Sequence, residues 1–87
     1  MKLQQLRYVT TVARQGLNVS DAAVILNTSQ PGVSKQISML EDELKVDIFV
    51  RSGKRLTGLT KPGEVICRIA DRILREAQNV KLVAEEF

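Results

Sequence analysis

Two helical patterns lie so close together in the middle of this chain that only a tight turn can connect them. The first follows Asn18, whose side chain suits a helix cap, and Asp21 at the third helical position makes a variant of the capping box. Asn27 suits the left-handed residue that ends such a helix, and Ser29 suits the cap of the next one. The sequence therefore predicts two helices joined by a turn of a few residues.

The second of these helices begins with residues that usually weaken a helix. Pro31 costs little in the first turn, because its missing N–H would have no partner within the helix. Gly32 is small enough to let the backbone approach another surface closely. The rest of the helix has two faces. Apolar residues at spacings of four, three and four residues form a buried stripe: Val33, Ile37, Leu40 and Leu44. The opposite face is polar and carries Gln30, Ser34, Lys35 and Ser38.

The flanking segments predict a helix before this pair and a hairpin after it. Apolar residues from Leu3 to Ala13 recur at spacings of three, three and four residues, which predicts a helix, and Gly16 ends the pattern. The stretch "DIFVRSGKRLTGLT" is typical of two short strands with Ser52 and Gly53 at the turn. We therefore expect a mainly α protein in which residues 1–60 form a winged helix-turn-helix, with three helices and a two-stranded wing.

The last segment, residues 61–87, is predicted to be one long helix that forms a dimer. Thr60 is its cap and Pro62 lies in its first turn. Val65, Ile69 and Leu74 are expected to contact the preceding domain. The alternative is that the whole helix folds back onto its own domain. A heptad seam of alternating large residues and alanines is the predicted homodimer interface: Ile66, Ala70, Ile73, Ala77, Val80, Ala84 and Phe87.

A helix-turn-helix followed by a basic hairpin predicts binding to double-stranded DNA. Gln30 is suited to adenine in the major groove, and Lys35 is suited to guanine or to a phosphate. The hairpin carries Arg51, Lys54 and Arg55 without an acid between them, as a wing that grips phosphates or a minor groove would. Arg51 is also a candidate partner for Glu41. The alternative is an ordinary solvated helix start and turn.

Composition limits the functions that this chain could perform. The net charge is +3, and residues 1–63 hold nine Lys and Arg against five Asp and Glu, so the basic excess lies in the first two-thirds. With no histidine and only Cys67 as a thiol, the usual metal clusters and activated nucleophiles cannot be assembled, so we expect neither an enzyme nor a cofactor. No membrane span or signal peptide is recognisable, which favours a cytoplasmic protein. A helical protein-interaction module with incidental charge remains the main alternative.

Several spaced motifs resemble the N-terminal DNA-binding domain of LysR-type transcriptional regulators. They are "LQQLRYV", "AAVILNTSQPGVSKQISMLEDEL", "IFVRSGKRLT" and "LTKPGEVI", and their wording is closest to the branch that controls cysteine biosynthesis and sulfur assimilation. The resemblance implies a bacterial promoter-binding protein, an antiparallel dimer through the linker helix, and tetramers of the full-length protein. It also implies groove contacts from Gln30, Pro31, Ser34 and Lys35, phosphate contacts from Thr28 and Ser29, and a wing formed by residues 51–55.

Two positions depart from that family's pattern. Lys45 stands where glycine usually follows "LEDEL", which makes a left-handed helix cap less secure there. Lys35 stands where arginine is frequent, and lysine cannot make the bidentate contact with guanine. Family members also carry a C-terminal effector-binding domain. We expect that domain to be missing here, and any small-molecule effector to act only through it.

Overall fold

The computed structural model describes residues 1–87 and contains four helices and one β-hairpin. The helices are α1 (Leu3–Arg14), α2 (Val19–Ile25), α3 (Gln30–Leu44) and α4 (Lys61–Glu86). The strands β1 (Phe49–Ser52) and β2 (Arg55–Leu59) lie between α3 and α4 and pair antiparallel. The predicted fold class, a winged helix-turn-helix followed by a long helix, is confirmed.

The predicted caps hold the helix-turn-helix together. The Asn18 side chain accepts a hydrogen bond from the Asp21 backbone N–H, and the Ser29 side chain accepts one from that of Gly32. Asn27 is left-handed, with φ of 55°, so the chain reverses within the four residues between α2 and α3. This tight reversal fixes the angle at which α3 leaves α2.

A single core fills the space between the three short helices, the base of the hairpin and the first half of α4. Val9, Val33, Leu40 and Ile48 are completely buried in it, and so is Ala22 of α2. Buried alanine lets two helices approach closely. The core thus binds α3 and the hairpin base to one scaffold. We call residues 1–60, with this core, the head.

Lys45 ends α3 in the left-handed conformation, with φ of 61°, although it is not glycine. Its N–H donates to the Glu41 carbonyl, so the cap geometry that glycine would favour is kept. The expected weakness therefore does not change the fold. It leaves a local strain of roughly 1–2 kcal/mol, the cost of a left-handed conformation for a residue with a Cβ.

Two of the three predicted contacts of α4 with the head are wrong. Val65 and Ile69 are exposed, whereas Leu74 packs against the core as predicted. Ala70, assigned to the dimer seam, is only 1% exposed because it lies in the core of its own chain. Cys67 is also buried there, and burial, together with the nearby charge of Asp71, raises the pKa of its thiol.

Candidate nucleic-acid interface

The first turn of α3 stands at the surface of the head. Gln30, Pro31, Ser34 and Lys35 are exposed, as are Ser29 before them and Ser38 after them, and Thr28 is half-buried. The stripe that begins at Val33 holds the opposite side of the helix in the core. Because one side is fixed and the other is open, the polar face predicted from the sequence is available to a partner.

Gly32 has a role that the sequence argument did not identify. A Cβ at this position would lie 3.0 Å from the Ser29 hydroxyl and 3.1 Å from that of Thr28, so glycine leaves room for the cap. The Gly32 N–H is already used by Ser29, and Pro31 has none. The backbone of this turn therefore has fewer free N–H groups to offer a phosphate than an uncapped helix start would have.

The hairpin rises beside this turn and forms one wall of a groove. Its turn is at Gly53 and Lys54, and Ser52 is the last residue of β1 rather than part of the turn. Arg51, Ser52, Lys54 and Arg55 are all exposed. The groove brings the helix start and the hairpin together; it is lined by Val19, Gln30, Pro31, Ser34, Arg51, Gly53 and Lys54.

The three cations of the hairpin are not equivalent. Arg51 forms an ion pair with Glu41 at 2.7 Å, as the sequence suggested, and its side chain is 38% exposed. Lys54 and Arg55 form no ion pair within the protein. Their charges are therefore free to meet a polyanion, whereas Arg51 is partly committed to the protein itself.

Glu41 contacts more of the chain than the sequence indicated. Its carboxylate is 7% exposed and also accepts hydrogen bonds from the backbone N–H groups of Ile48 at 2.7 Å and Phe49 at 3.3 Å. Burial alone would raise the pKa of this carboxyl, but the hydrogen bonds from Arg51, Ile48 and Phe49 outweigh burial and lower it. An ionised Glu41 thus ties α3 to β1 and orients the hairpin.

Five of the six large apolar residues that are exposed from position 65 onward form a stripe that differs from the predicted seam, and the sixth, Leu82, lies off this stripe. Ile66 and Ile73 are partly buried and pack against the core, and Ala77 is half-buried, whereas Val80, Ala84 and Phe87 are exposed. The exposed stripe begins one residue earlier, at spacings of four, eleven, three and four: Val65, Ile69, Val80, Val83 and Phe87. These spacings keep the five residues on one side of a helix.

Comparisons with known proteins agree on one family. Residues 3–64 match the family described as "Bacterial regulatory helix-turn-helix protein, lysR family". The chain belongs to the LysR family. Among its LysR relatives it is 54% identical, over all 87 residues, to the HTH-type transcriptional regulator SsuR of Burkholderia cenocepacia, and 48% identical to the HTH-type transcriptional regulator CysB of Haemophilus influenzae. The chain spans 28% and 27% of the lengths of these two proteins.

Solved structures of LysR-family proteins superpose closely on this one. The CbnR DNA-binding domain in its complex with DNA has a TM-score of 0.88 and 34% identity, and the match covers 99% of this chain and 97% of that one. Full-length OxyR of Pseudomonas aeruginosa has a TM-score of 0.91 and 40% identity, covering 99% of this chain and 28% of that one. The predicted family is therefore confirmed.

None of the four helices combines the length and the apolar character that a membrane span requires.

Proposed function

We propose that this chain binds double-stranded promoter DNA in a sequence-specific manner, as the DNA-binding head of a dimeric bacterial transcription regulator. The observation that carries the proposal is the groove between the start of α3 and the hairpin, with Gln30 and Ser34 on one wall and the unpaired Lys54 on the other. A polar helix start can read bases while an adjacent cation holds the phosphates. The DNA complex of the similar CbnR domain supports the same conclusion.

We assign different roles to the residues of this interface. Gln30, Pro31, Ser34 and Lys35 face the major groove, with Ser38 one turn further along, and Lys35 contacts a base or a phosphate. Thr28 and Ser29 contact phosphates of the DNA backbone. In the wing, Ser52, Lys54 and Arg55 contact the backbone or the minor groove. Arg51 mainly orients the wing, because Glu41 holds its guanidinium.

A homodimer through α4 is the second part of the proposal. The exposed apolar stripe supports it, because Val80 is 70% exposed and has no partner within the chain. The charges support an antiparallel pair. Residues 61–75 hold four basic and two acidic side chains, and residues 76–87 hold one basic and three acidic side chains. Antiparallel helices would place the basic half of each beside the acidic half of the other, whereas parallel helices would place like charges together.

The biological role that fits best is control of sulfur assimilation or cysteine biosynthesis genes in the cytoplasm. Its support is the similarity to the regulator named CysB. We propose further that the longer protein forms tetramers and binds a small-molecule effector outside these residues, with no cofactor and no catalytic activity.

A salt titration tests the DNA-binding proposal. A labelled duplex selected from a random library should bind with a log–log slope of about −0.9 per neutralised phosphate, and Lys54→Ala should make the slope about one unit shallower. Lys81→Ala is the matched control, because this exposed lysine lies on α4, far along the chain from the groove. A protein that binds no duplex even at low salt would support a protein-interaction module instead.

A further inference from the structure

The start of α4 is held against the backbone of Ile48 by a small set of contacts. The Thr60 hydroxyl donates to the Asp47 carbonyl at 2.5 Å and to the Ile48 carbonyl at 3.3 Å, and it accepts from the Gly63 N–H at 2.9 Å. The Thr60 N–H also donates to the Ile48 carbonyl, at 3.0 Å. Neither the family match nor the DNA-binding proposal gives this junction a role.

Gly63 permits an approach that no other residue would permit. A Cβ at this position would lie 2.9 Å from the carbonyl carbon of Ile48 and closer still to its oxygen, which is nearer than real Cβ atoms come to their neighbours. The obstacle is backbone rather than a movable side chain. The backbone of Ile48 is also held in place on both sides, because its N–H donates to Glu41 and its carbonyl accepts from Thr60. If position 63 gained a side chain, α4 would have to move.

We propose that Gly63 is a positioning residue: by seating α4 against Ile48 it sets the direction in which the dimer helix leaves the head, and hence the separation of the two DNA half-sites. This inference rests on the proposed function, since it requires a dimer that binds two half-sites. This role requires no contact of Gly63 itself with DNA or with the partner chain.

A lever estimate gives the size of the effect. Adding a methyl group requires a displacement of about 1 Å even to reach the shortest separations that Cβ atoms show. About 10 Å of helix separates Gly63 from Ala70, where the core holds α4, and about 15 Å separates Ala70 from Val80 on the exposed stripe. Pivoting at Ala70 therefore moves the stripe by roughly 1.5 Å in each chain. The two heads shift by about 3 Å in the dimer, close to one base-pair step.

The experiment compares Gly63→Ala with Gly58→Ala in the 87-residue chain. The two substitutions are chemically identical, but a Cβ at Gly58 would meet nothing within 4 Å. Duplexes selected from a random library by the wild-type protein are resynthesised with the segment between the half-sites lengthened or shortened in single base pairs. Gly63→Ala should move the affinity maximum by about one base pair and leave binding to an isolated half-site within about two-fold. Gly58→Ala should keep the wild-type maximum.

A second measurement does not require DNA. A spin label attached to the thiol introduced by Lys54→Cys reports the distance between the two heads of the dimer. Cys67→Ala removes the chain's own thiol, so that only position 54 is labelled. Gly63→Ala should change this distance by about 3 Å. An unchanged distance together with an unchanged spacing preference would overturn the inference. A wild-type dimer that binds no duplex would refute the proposed function and the half-site part of the inference, and the head-to-head distance would still decide whether Gly63 sets the direction of α4. A monomeric wild type would overturn both.

Thr60→Val keeps the test decisive if Gly63→Ala fails to fold. Valine preserves the shape of the side chain but removes every hydrogen bond of the hydroxyl. The junction would then be loosened rather than displaced, so the distance distribution should broaden and the spacing preference should flatten. A Thr60→Val dimer with the wild-type distribution and the wild-type preference would contradict the proposed role of the junction.

Discussion

Removing the carboxylate of Glu41 should destabilise the head more than any other change to a charged side chain. Its three donors are the backbone N–H groups of Ile48 and Phe49 and the guanidinium of Arg51. Ile48 and Phe49 are 0% and 1% exposed, so water does not readily replace the lost acceptor. The Phe49 N–H has no partner in the hairpin ladder either, because the bond from Thr60 to the Ile48 carbonyl makes Phe49 and Leu59 a non-hydrogen-bonded pair.

The size of the loss follows from these two orphaned donors. Each buried, unsatisfied N–H costs about 1–3 kcal/mol, so Glu41→Ala should lower the free energy of unfolding by roughly 2–6 kcal/mol. Arg51 adds little to this figure, because its partly exposed side chain can turn to solvent. Glu41→Gln keeps one acceptor oxygen and should cost less, about 1–3 kcal/mol. Against a total stability of about 5–15 kcal/mol, either loss is easily measured.

Urea unfolding followed by circular dichroism measures both losses. The control is Glu43→Gln on the same helix, which removes only an exposed pair with the N-terminal amine and should cost about 0.2–1 kcal/mol. Acid provides a second readout. Because the folded protein lowers the pKa of Glu41, its contribution is fully present above the ordinary glutamate pKa and is lost as the pH falls through the lowered value.

Glutamine does not titrate, so Glu41→Gln should lack the part of the acid-induced loss of stability that comes from protonation of Glu41. If Glu41→Gln matches Glu43→Gln in both its unfolding free energy and its pH dependence, the carboxylate does not hold the hairpin in the way described.

Three further changes probe the groove, the dimer helix and the strained cap. Gln30→Ala should cost about 1–3 kcal/mol on the selected duplex and relax the base preference at one position, and an equal loss on random DNA would remove Gln30 from base reading. Val80→Asp should raise the dimer dissociation constant in sedimentation equilibrium, whereas Gln78→Asp on another side of α4 should not, because only Val80 lies on the exposed apolar stripe. Lys45→Gly should raise the urea midpoint by the equivalent of about 1 kcal/mol, because glycine relieves the left-handed strain; an unchanged or lower midpoint would show that the strain is negligible.

The parts of the fold that follow local chemistry could be predicted from the sequence. Asn18, Ser29 and Thr60 each cap a helix through their own side chain, and Asn27 adopts the left-handed turn, so the element boundaries follow from residues within a few positions. The exposed face of α3 was predictable as well, because a single apolar stripe on a helix fixes which side is buried. The junction at Gly63 was not predictable, since its partner Ile48 is distant in sequence.

The two faces of α4 show why periodicity alone failed there. The first half of this helix is apolar on the side of Cys67 and Ala70 and also on the side of Val65 and Ile69, so the pattern does not say which side meets the head. In the structure α4 packs against α1, with the small residues Cys67 and Ala70 on its buried side, and Arg14 of α1 pairs with Asp71 at 2.5 Å.

In the proposed dimer one helix serves two surfaces, which would explain why α4 carries apolar residues that the head leaves exposed. Its first half belongs to the core of its own chain, where Ala70 is buried, while its second half has no comparable packing within the chain. A helical segment of about 12 residues is marginal in water when nothing packs against it. Pairing with a second copy would bury Val80 and Val83 and stabilise that segment, so folding of the distal half of α4 and dimerisation are expected to be coupled. In such a dimer, the direction that we propose is set at Gly63 would reach the partner through a helix that the pairing itself stabilises.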